Sequence, residues 1–455
     1  EAPWRASAEL DDRGAPRRIA AALASEAGGR ALGLELDRVP LDVVGPLAPP
    51  VLALDGARAS GRLTVATGDG VTVTGRLTLE GARIRYHALA DEPVALDGTV
   101  DVDARVAGDR LELTNLAVTR GAASLAVSGF ARWDGGRIVA ADATATLAPV
   151  GCRALIDALP GPLRGPLDQL AVTGAMTGAA HVAFDLTAPA TGGPDGGPGT
   201  AGTAGTAGLA GPGSEDGVVL DLELDPHACV VTADPPVIDP RRLAVATPQS
   251  FPDGHQALVG PGVGDWVDPM ELPGHVRGAF VAAEDARFWD HHGFDAVQIA
   301  RSLAIDLRED RMARGGSTIT QQLVKNSFLH QRRTLARKLQ EAVLTWRVEA
   351  VLDKKTILAR YLNIVELGPG VYGVGAGAQF WFGKPAARLT VREAAFLAAL
   401  APAPATMTRR LQAAHGLDPA TGERVEVTLR AMKRAGVIGS IPGGTLAFRP
   451  AAIGR

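Results

Sequence analysis

The feature that most constrains this chain is a change of hydrophobic period part-way along it. Residues 61–86, GRLTVATGDGVTVTGRLTLEGARIRY, alternate apolar and polar positions: Leu63 and Val65, Val71 and Val73, Leu77 and Leu79. The breaks at GDG and EG are hairpin signals. The texture returns in DGTVDVDARVAGDRLELTNLAV (97–118), ASLAVSGFARWDGG (123–136) and RIVAADATATLAPV (137–150). Repeated short antiparallel strands without a fixed repeat length fit a sandwich, a curved sheet or a solenoid-like array. Two stretches read instead as helices: PRRIAAALASEAGG (16–29) and CRALIDALPGPL (152–163).

Residues 188–217, APATGGPDGGPGTAGTAGTAGLAGPGSEDG, are too poor in large apolar groups to offset the entropy of ordering, and read as a flexible loop. The segment VVLDLELDPHACVVTADPP (218–236) then completes the first sheet. From about Pro269 the period becomes helical. LPGHVRGAFVAAED places Leu272, Val276, Ala279, Phe280 and Ala283 on one face. TLARKLQEAVLTWRVEAVLDKK places Leu335, Leu339, Ala342, Val343, Trp346 and Ala350 on another. TVREAAFLAALAP opens with a capping box, Thr390 and Glu393, and ends at Pro402. The expected fold is α+β and multidomain: an antiparallel β-rich accessory domain over 1–240, carrying the 188–217 loop, and a mainly helical domain over 241–455.

The chain has 455 residues, enough for two domains. Its 50 acidic and 46 basic residues give a net charge of −4, which argues against a general nucleic-acid binder and leaves room for local basic patches. Cys152 and Cys229 are the only cysteines; they form one disulfide or remain two thiols, and cannot make a cysteine-based zinc site alone. No apolar run is long enough to cross a membrane. The chain opens on EAPWRASAEL without Met, which reads as a trimmed start.

Four stretches of the helical part carry the candidate chemistry. VAAEDARFWDHHGFD (281–295) gathers carboxylates, imidazoles and an aromatic pair, Phe288 and Trp289. Its adjacent His291 and His292 diverge on a helix and lack metal-ligand spacing. An oxygen-bound Mg²⁺ shared with substrate phosphates needs only one or two carboxylates. RGGSTITQQLVKN (314–326) has a glycine pair, then Ser317, Thr318, Thr320, Gln321 and Gln322. Ser317 or Thr318 serves as a helix cap, but capping explains only one or two of the five. The remainder, with Lys325, fits sugar hydroxyls or phosphate. HQRRTLARKLQE (330–341) spaces Arg333, Arg337 and Glu341 at i, i+4, i+8 beside Lys338, opposite the apolar stripe. That is either a solvated ionic face or a site for an anion such as pyrophosphate. GPGVYG (368–373) fits G-x-G-x-x-G without the surrounding parallel sheet that dinucleotide binding needs, so it reads as a turn.

The first three of these stretches, followed by ILARYLN (357–363), in this order resemble the peptidoglycan glycosyltransferase family (glycosyltransferase family 51), in particular its monofunctional biosynthetic branch. The family's E-D-x-x-F-x-x-H-x-G stands here as EDARFWDHHG, its G-G-S-T-I-T-Q-Q as GGSTITQQ, its R-K-x-x-E as RKLQE and its I-L-x-x-Y-L-N as ILARYLN. The resemblance spans about 265–410 and leaves 1–240 uncovered. The β texture there is loosely similar to envelope lipid-transfer proteins of the AsmA type. Two positions depart from the family pattern: Gln340 stands where a lysine is common, and Gly375 where a glutamate is common. The sequence after about 410 reads as too short for a transpeptidase region, so none is expected within these 455 residues.

The resemblance implies a lysozyme-like glycosyltransferase domain that polymerises lipid II into β-1,4 glycan with inversion, releasing undecaprenyl pyrophosphate. It implies Glu284 as general base and Glu341 as the second catalytic carboxylate, directly or through Mg or Mn. Implied substrate and pyrophosphate contacts are Asp285, Phe288, His291, Gly316, Ser317, Thr318, Gln321, Gln322, Lys325, Asn326, Arg333, Arg337, Lys338, Tyr361 and Asn363. Asp285, Phe288 and His291 also shape the loop that carries Glu284. No cofactor is required by sequence. Expected partners are lipid II, the growing glycan, the membrane surface and other cell-wall synthesis proteins, with no nucleic acid. The expected location is the periplasmic face of a bacterial inner membrane. The mostly apolar face of AVQIARSLAIDLREDRMA (296–313), with Val297, Ile299, Leu303 and Leu307, suits an interface. A catalytically inactive envelope lipid-binding or scaffolding protein is the alternative; a glycan-cutting enzyme would not need the basic cluster.

Overall fold

The computed structural model describes residues 4–454 apart from 13–14, 27–28, 43–48, 188–217, 226–227, 310–315 and 331. The expected 188–217 loop therefore lies outside the described residues. The chain divides into two units. The first comprises 1–235, 296–315 and 333–340; the second comprises 236–295, 316–332 and 341–455.

Among the described residues the first unit is built on one antiparallel sheet of 12 strands, with a second sheet of 3 short strands. Successive long strands pair side by side from Trp4–Asp12 to Val218–Leu224, and Cys229–Ala233 pairs with the strand Ala171–Asp185. The segment after 217 thus completes the sheet, as the alternation implied. Register carries the alternation across the strands: Val65 faces Val73, Leu77 faces Val100, Val118 faces Leu125 and Leu125 faces Leu147. Polar positions match likewise, Thr64 with Thr74 and Arg76 with Asp101, so the sheet has one apolar and one polar face.

The helix expected over 16–29 is not formed: Ala15–Glu26 is a strand. Ile19, Ala21 and Leu23 oppose Leu36, Leu34 and Leu32 of the next strand. In an alanine-rich run, two-residue and helical periods are hard to separate, and the pairing partner decides. The helix expected from Cys152 is present as α1 (Cys152–Ala158), followed by α2 (Gly161–Arg164). Cys152 and Cys229 form a disulfide with Cα atoms 5.7 Å apart. Closing a loop of 77 residues contributes about 4 kcal/mol in the chain-entropy view.

The second unit is helical. In chain order the remaining helices are α3 (Gly274–Glu284), α4 (Ala296–Glu309, assigned to the first unit), α5 (Ile319–Phe328), α6 (Leu335–Val351), α7 (Lys354–Ile364), α8 (Val374–Phe382), α9 (Val391–Leu400), α10 (Pro404–Ala414) and α11 (Pro419–Arg434). Leu272, Val276, Ala279 and Phe280 are buried, whereas Ala283 is exposed. They pack with α9 and α11, whose Phe396, Leu397, Leu429 and Met432 are also buried. The capping box of Thr390 and Glu393 opens α9. GPGVYG spans a two-stranded hairpin, Glu366–Gly368 with Val371–Tyr372, turning at Gly370 with φ +70°. It is a glycine turn, not a nucleotide loop. Gly375 lies under the 265–267 turn, where a Cβ would stand 3.0 Å from Val267 Cγ2 and 3.1 Å from Asp265 O.

Helix α6 departs from the expected orientation. Its buried side is Ala336, Arg337, Gln340, Glu341, Leu344, Thr345 and Val348, while Leu335 is 62% exposed and Ala350 is exposed. Of the face read as either a solvated ionic face or an anion site, Arg337 and Glu341 are covered, whereas Arg333 is exposed. Counting apolar residues missed this because the covered face mixes aliphatic side chains with partnered polar groups, which can be buried when their hydrogen bonds are met.

Candidate functional site

Glu284 is the last residue of α3, and the chain turns sharply at Asp285 (φ −160°, ψ 73°). Asp285 is buried; its Oδ1 accepts from His291 Nε2 at 2.8 Å and its Oδ2 from the Ile319 backbone N–H at 3.0 Å. His291 Nδ1 accepts the Gly293 N–H at 3.1 Å, so the ring is the neutral tautomer with its proton on Nε2. The Asp285 carboxylate occupies the N-terminal, positive end of α5, which removes that end as a free anion site. Thr318 caps the same helix in a box with Gln321, and its hydroxyl donates to Gly293 O at 2.7 Å. Gly293 has φ +93°, and a Cβ there would lie 2.7 Å from Thr345 Cγ2. Hydrogen bonds thus join the turn after α3 to the start of α5 across more than twenty residues of sequence.

This loop sets the surroundings of Glu284. Gln322 Nε2 donates to Glu284 Oε2 at 2.8 Å, and Gln322 Oε1 accepts from Tyr361 OH at 3.4 Å. The tyrosine hydroxyl fixes which end of the amide faces the carboxylate. Burial pushes the Glu284 carboxyl above the usual glutamate range, opposed by the Gln322 hydrogen bond and by Arg424 and Lys325, with Asp285 adding to the rise. Tyr361 is fully buried, and burial with Glu284 and Asp285 nearby pushes its hydroxyl well above the ordinary tyrosine value. It therefore acts here as a neutral donor. Together these groups hold a desolvated carboxylate of raised basicity by one hydrogen bond.

Other expected contacts have other surroundings. Asn363 accepts from the Val267 N–H and donates to Val267 O and Ala359 O, each at 2.8 Å, so its amide is committed to backbone. Asn326 offers its backbone oxygen to Gln249 Nε2 at 2.9 Å. Gly316 and Ser317 lead into the Thr318 cap, half-buried. Phe288 is fully buried, whereas its neighbour Trp289 is 47% exposed. Arg333, Arg337 and Lys338 fall in the first unit; Glu341 is buried in the second.

Sequence spacing did not single out Glu349, Lys354 or Arg360. Glu349 Oε1 accepts from Thr320 Oγ1 and, at 2.7 Å, from Lys354 Nζ, and Lys354 stands 4.4 Å from the Phe288 ring centre. This network ties α6 and α7 to both stretches that surround Glu284. Arg360, one residue before Tyr361, is buried; its guanidinium donates to Val259 O at 2.6 Å and Thr247 Oγ1 at 3.2 Å. Burial, with Arg242 nearby, lowers its pKa to about 10.

Residues 258–433 match the family model described as Transglycosylase. This segment is similar to that family. Penicillin-binding protein 1A of Aquifex aeolicus is 51% identical over 140 residues, 31% of this chain and 19% of that protein. The biosynthetic peptidoglycan transglycosylase of Acinetobacter baumannii (strain SDF) is 45% identical over 144 residues, 32% of this chain and 64% of that protein. The chain thus spans less than two thirds of the length of either relative. The crystal structure of penicillin-binding protein 1A from Haemophilus influenzae aligns with a TM-score of 0.21 at 23% identity, over 45% of this chain and 21% of that one, too low to support an argument about fold. Within the matched segment Glu284, Gln322 and Tyr361 come from three of the four motifs that carry the resemblance: EDARFWDHHG, GGSTITQQ and ILARYLN.

Proposed function

We propose that this protein polymerises lipid II into β-1,4-linked peptidoglycan glycan, with Glu284 as the general base. The observation that carries the reading is the Glu284 carboxylate: raised in basicity by burial, held by Gln322, and set in a segment that matches the transglycosylase family. Glu284 takes the proton from the 4-hydroxyl of the acceptor GlcNAc as that oxygen attacks the anomeric carbon of the donor MurNAc. The C–O bond to undecaprenyl pyrophosphate breaks with inversion, and the electron pair leaves with the pyrophosphate. A base whose pKa lies nearer the working pH is better suited to this transfer than an ordinary glutamate. Lys325, Arg333, Arg337 and Lys338 supply cations for the leaving group, with Glu341 as second carboxylate.

A lysozyme-like helical fold is part of this reading, as is a location at the periplasmic face of the inner membrane beside other cell-wall synthesis proteins. The Cys152–Cys229 disulfide suits an oxidising compartment. No described helix is long and apolar enough to cross a membrane. Among the described residues no group of three or more His, Cys, Asp or Glu side chains could hold a metal ion; were a Mg²⁺ or Mn²⁺ to take part with the substrate phosphates, Glu341 is the residue that would hold it, and it would supply charge stabilisation for the leaving group. Incubating the protein with lipid II and following glycan chain length tests the proposal. Polymer is expected. Binding of lipid II without polymer would favour the scaffolding alternative.

A further inference from the structure

The β-rich region has no role so far, and its contacts inside the first unit suggest one. Three of the first backbone N–H groups of α6 are already satisfied. Leu335 N–H donates to Ala88 O at 2.8 Å, Ala336 N–H to Leu89 O at 2.9 Å, and Arg337 N–H to Thr334 Oγ1 at 3.1 Å. A helix normally presents such groups to a cap, to water or to an anion. Here two are taken by carbonyls of the β-rich region, so an anion near this helix end must be met by side chains. Ala336 is buried in a cluster with Ala90 and Val94, packed by Ile84, Leu89 and Leu163.

One turn further along, Gln340 stands where the family commonly has lysine. It is buried, and its Nε2 donates to Leu163 O at 3.2 Å. Gly165 closes over it with φ +50°; a Cβ there would come 2.5 Å from Gln340 Nε2. A lysine could not give its charge to a ligand from this position without leaving the contact. Arg337 and Lys338 sit between the two attachment points, Leu335–Ala336 and Gln340.

We propose that the β-rich region is a positioning clamp for the phosphate-recognising start of α6, gripping it at Leu335–Ala336 and at Gln340, and that Gln340 is a positioning residue rather than a ligand. The proposal rests on the reading of Arg337 and Lys338 as pyrophosphate contacts. The clamp replaces a mobile cation by a fixed amide and holds the two remaining cations in one place, which lowers the cost of ordering them when substrate binds.

Gln340→Ala, Gly165→Ala and the double variant test it in the full chain. With lipid II as substrate, each single variant should raise KM about three- to tenfold, the range for misplacing a charge-assisted contact, with kcat changed less. The double variant should be no worse than either single one, because both act on the same contact. Unchanged KM with only a lowered Tm would reduce the clamp to packing and overturn the proposal. Calorimetric binding of inorganic pyrophosphate separates this from the functional reading. Weaker binding in the variants supports the clamp even if the wild type makes no polymer; equal binding in wild type and variants overturns it.

Discussion

Glu284 lies where three side chains with different tasks meet. Gln322 orients it, Tyr361 orients Gln322, and Asp285 beside it is held by His291 and the start of α5. Glu284→Gln keeps the shape and removes the basicity, so polymerisation should fall by at least about a hundredfold with the fold intact. Turnover measured on lipid II checks this; near-wild-type turnover would remove Glu284 from the mechanism. The same carboxyl makes a pH prediction. Its folded pKa lies above the unfolded one, so the folded state binds this proton more tightly. The resulting stabilisation is fully present below the unfolded glutamate value of about 4.3 and is lost as pH rises through the folded value. Glu284→Gln should therefore gain stability relative to wild type at neutral pH, and the gain should vanish in acid. Denaturant midpoints at the two ends of that range decide it. Activity should fall as pH drops through the raised Glu284 value, earlier than an ordinary glutamate would allow.

Among the elements, the loop that follows α3 (285–295), tied to the start of α5, is the most tightly specified. Gly293→Ala would add a methyl 2.7 Å from Thr345 Cγ2 at a φ of +93°, so it should cost about 2 kcal/mol and loosen the Asp285–His291–Thr318 arrangement. A thermal melt gives the stability cost, and a kcat loss larger than any change in KM would show that the loop positions the base. This loop was legible in the sequence because Glu284, Asp285, His291 and Gly293 are local and ordered, whereas its tie to Thr318 is a long-range contact. Helix α6 was not. Its apolar count favoured Leu335, Leu339 and Trp346, yet Arg337, Gln340 and Glu341 are covered, because long-range partners decide which polar groups can be buried. The Thr320–Glu349–Lys354–Phe288 network was equally invisible, since no fixed spacing links a carboxylate near the end of α6 to a lysine at the start of α7. Nor could the alanine-rich strand Ala15–Glu26 declare itself without the strands on either side.

At the scale of the whole molecule, the two units interleave along the chain. The sequence suggested one boundary near residue 240; the first break between the two units lies between Pro235 and Pro236. Yet 296–315 and 333–340 return to the first unit, and there Arg137 donates to Leu307 O of α4 at 3.1 Å. Hydrophobic period shows where helices begin, but not which sheet loops will receive them. A fragment starting at Pro236 keeps the buried Phe280, Trp381 and Phe396 of the second unit, and its core should fold. It loses Ala88, Leu89 and Leu163, which accept from Leu335, Ala336 and Gln340. Two N–H groups at the start of α6 then return to water, and Ala336 loses the cluster that covers it. Amide exchange at Leu335–Lys338 should therefore quicken by at least about tenfold, the mark of local fraying, while exchange in α9 stays slow. Polymerisation in detergent should survive with a higher KM, because the β-rich region holds cations in place and supplies no group to the reaction. Equal protection at Leu335–Lys338 with unchanged KM would make the region dispensable to catalysis. Loss of kcat with a normal KM would mean that it contributes a reacting group.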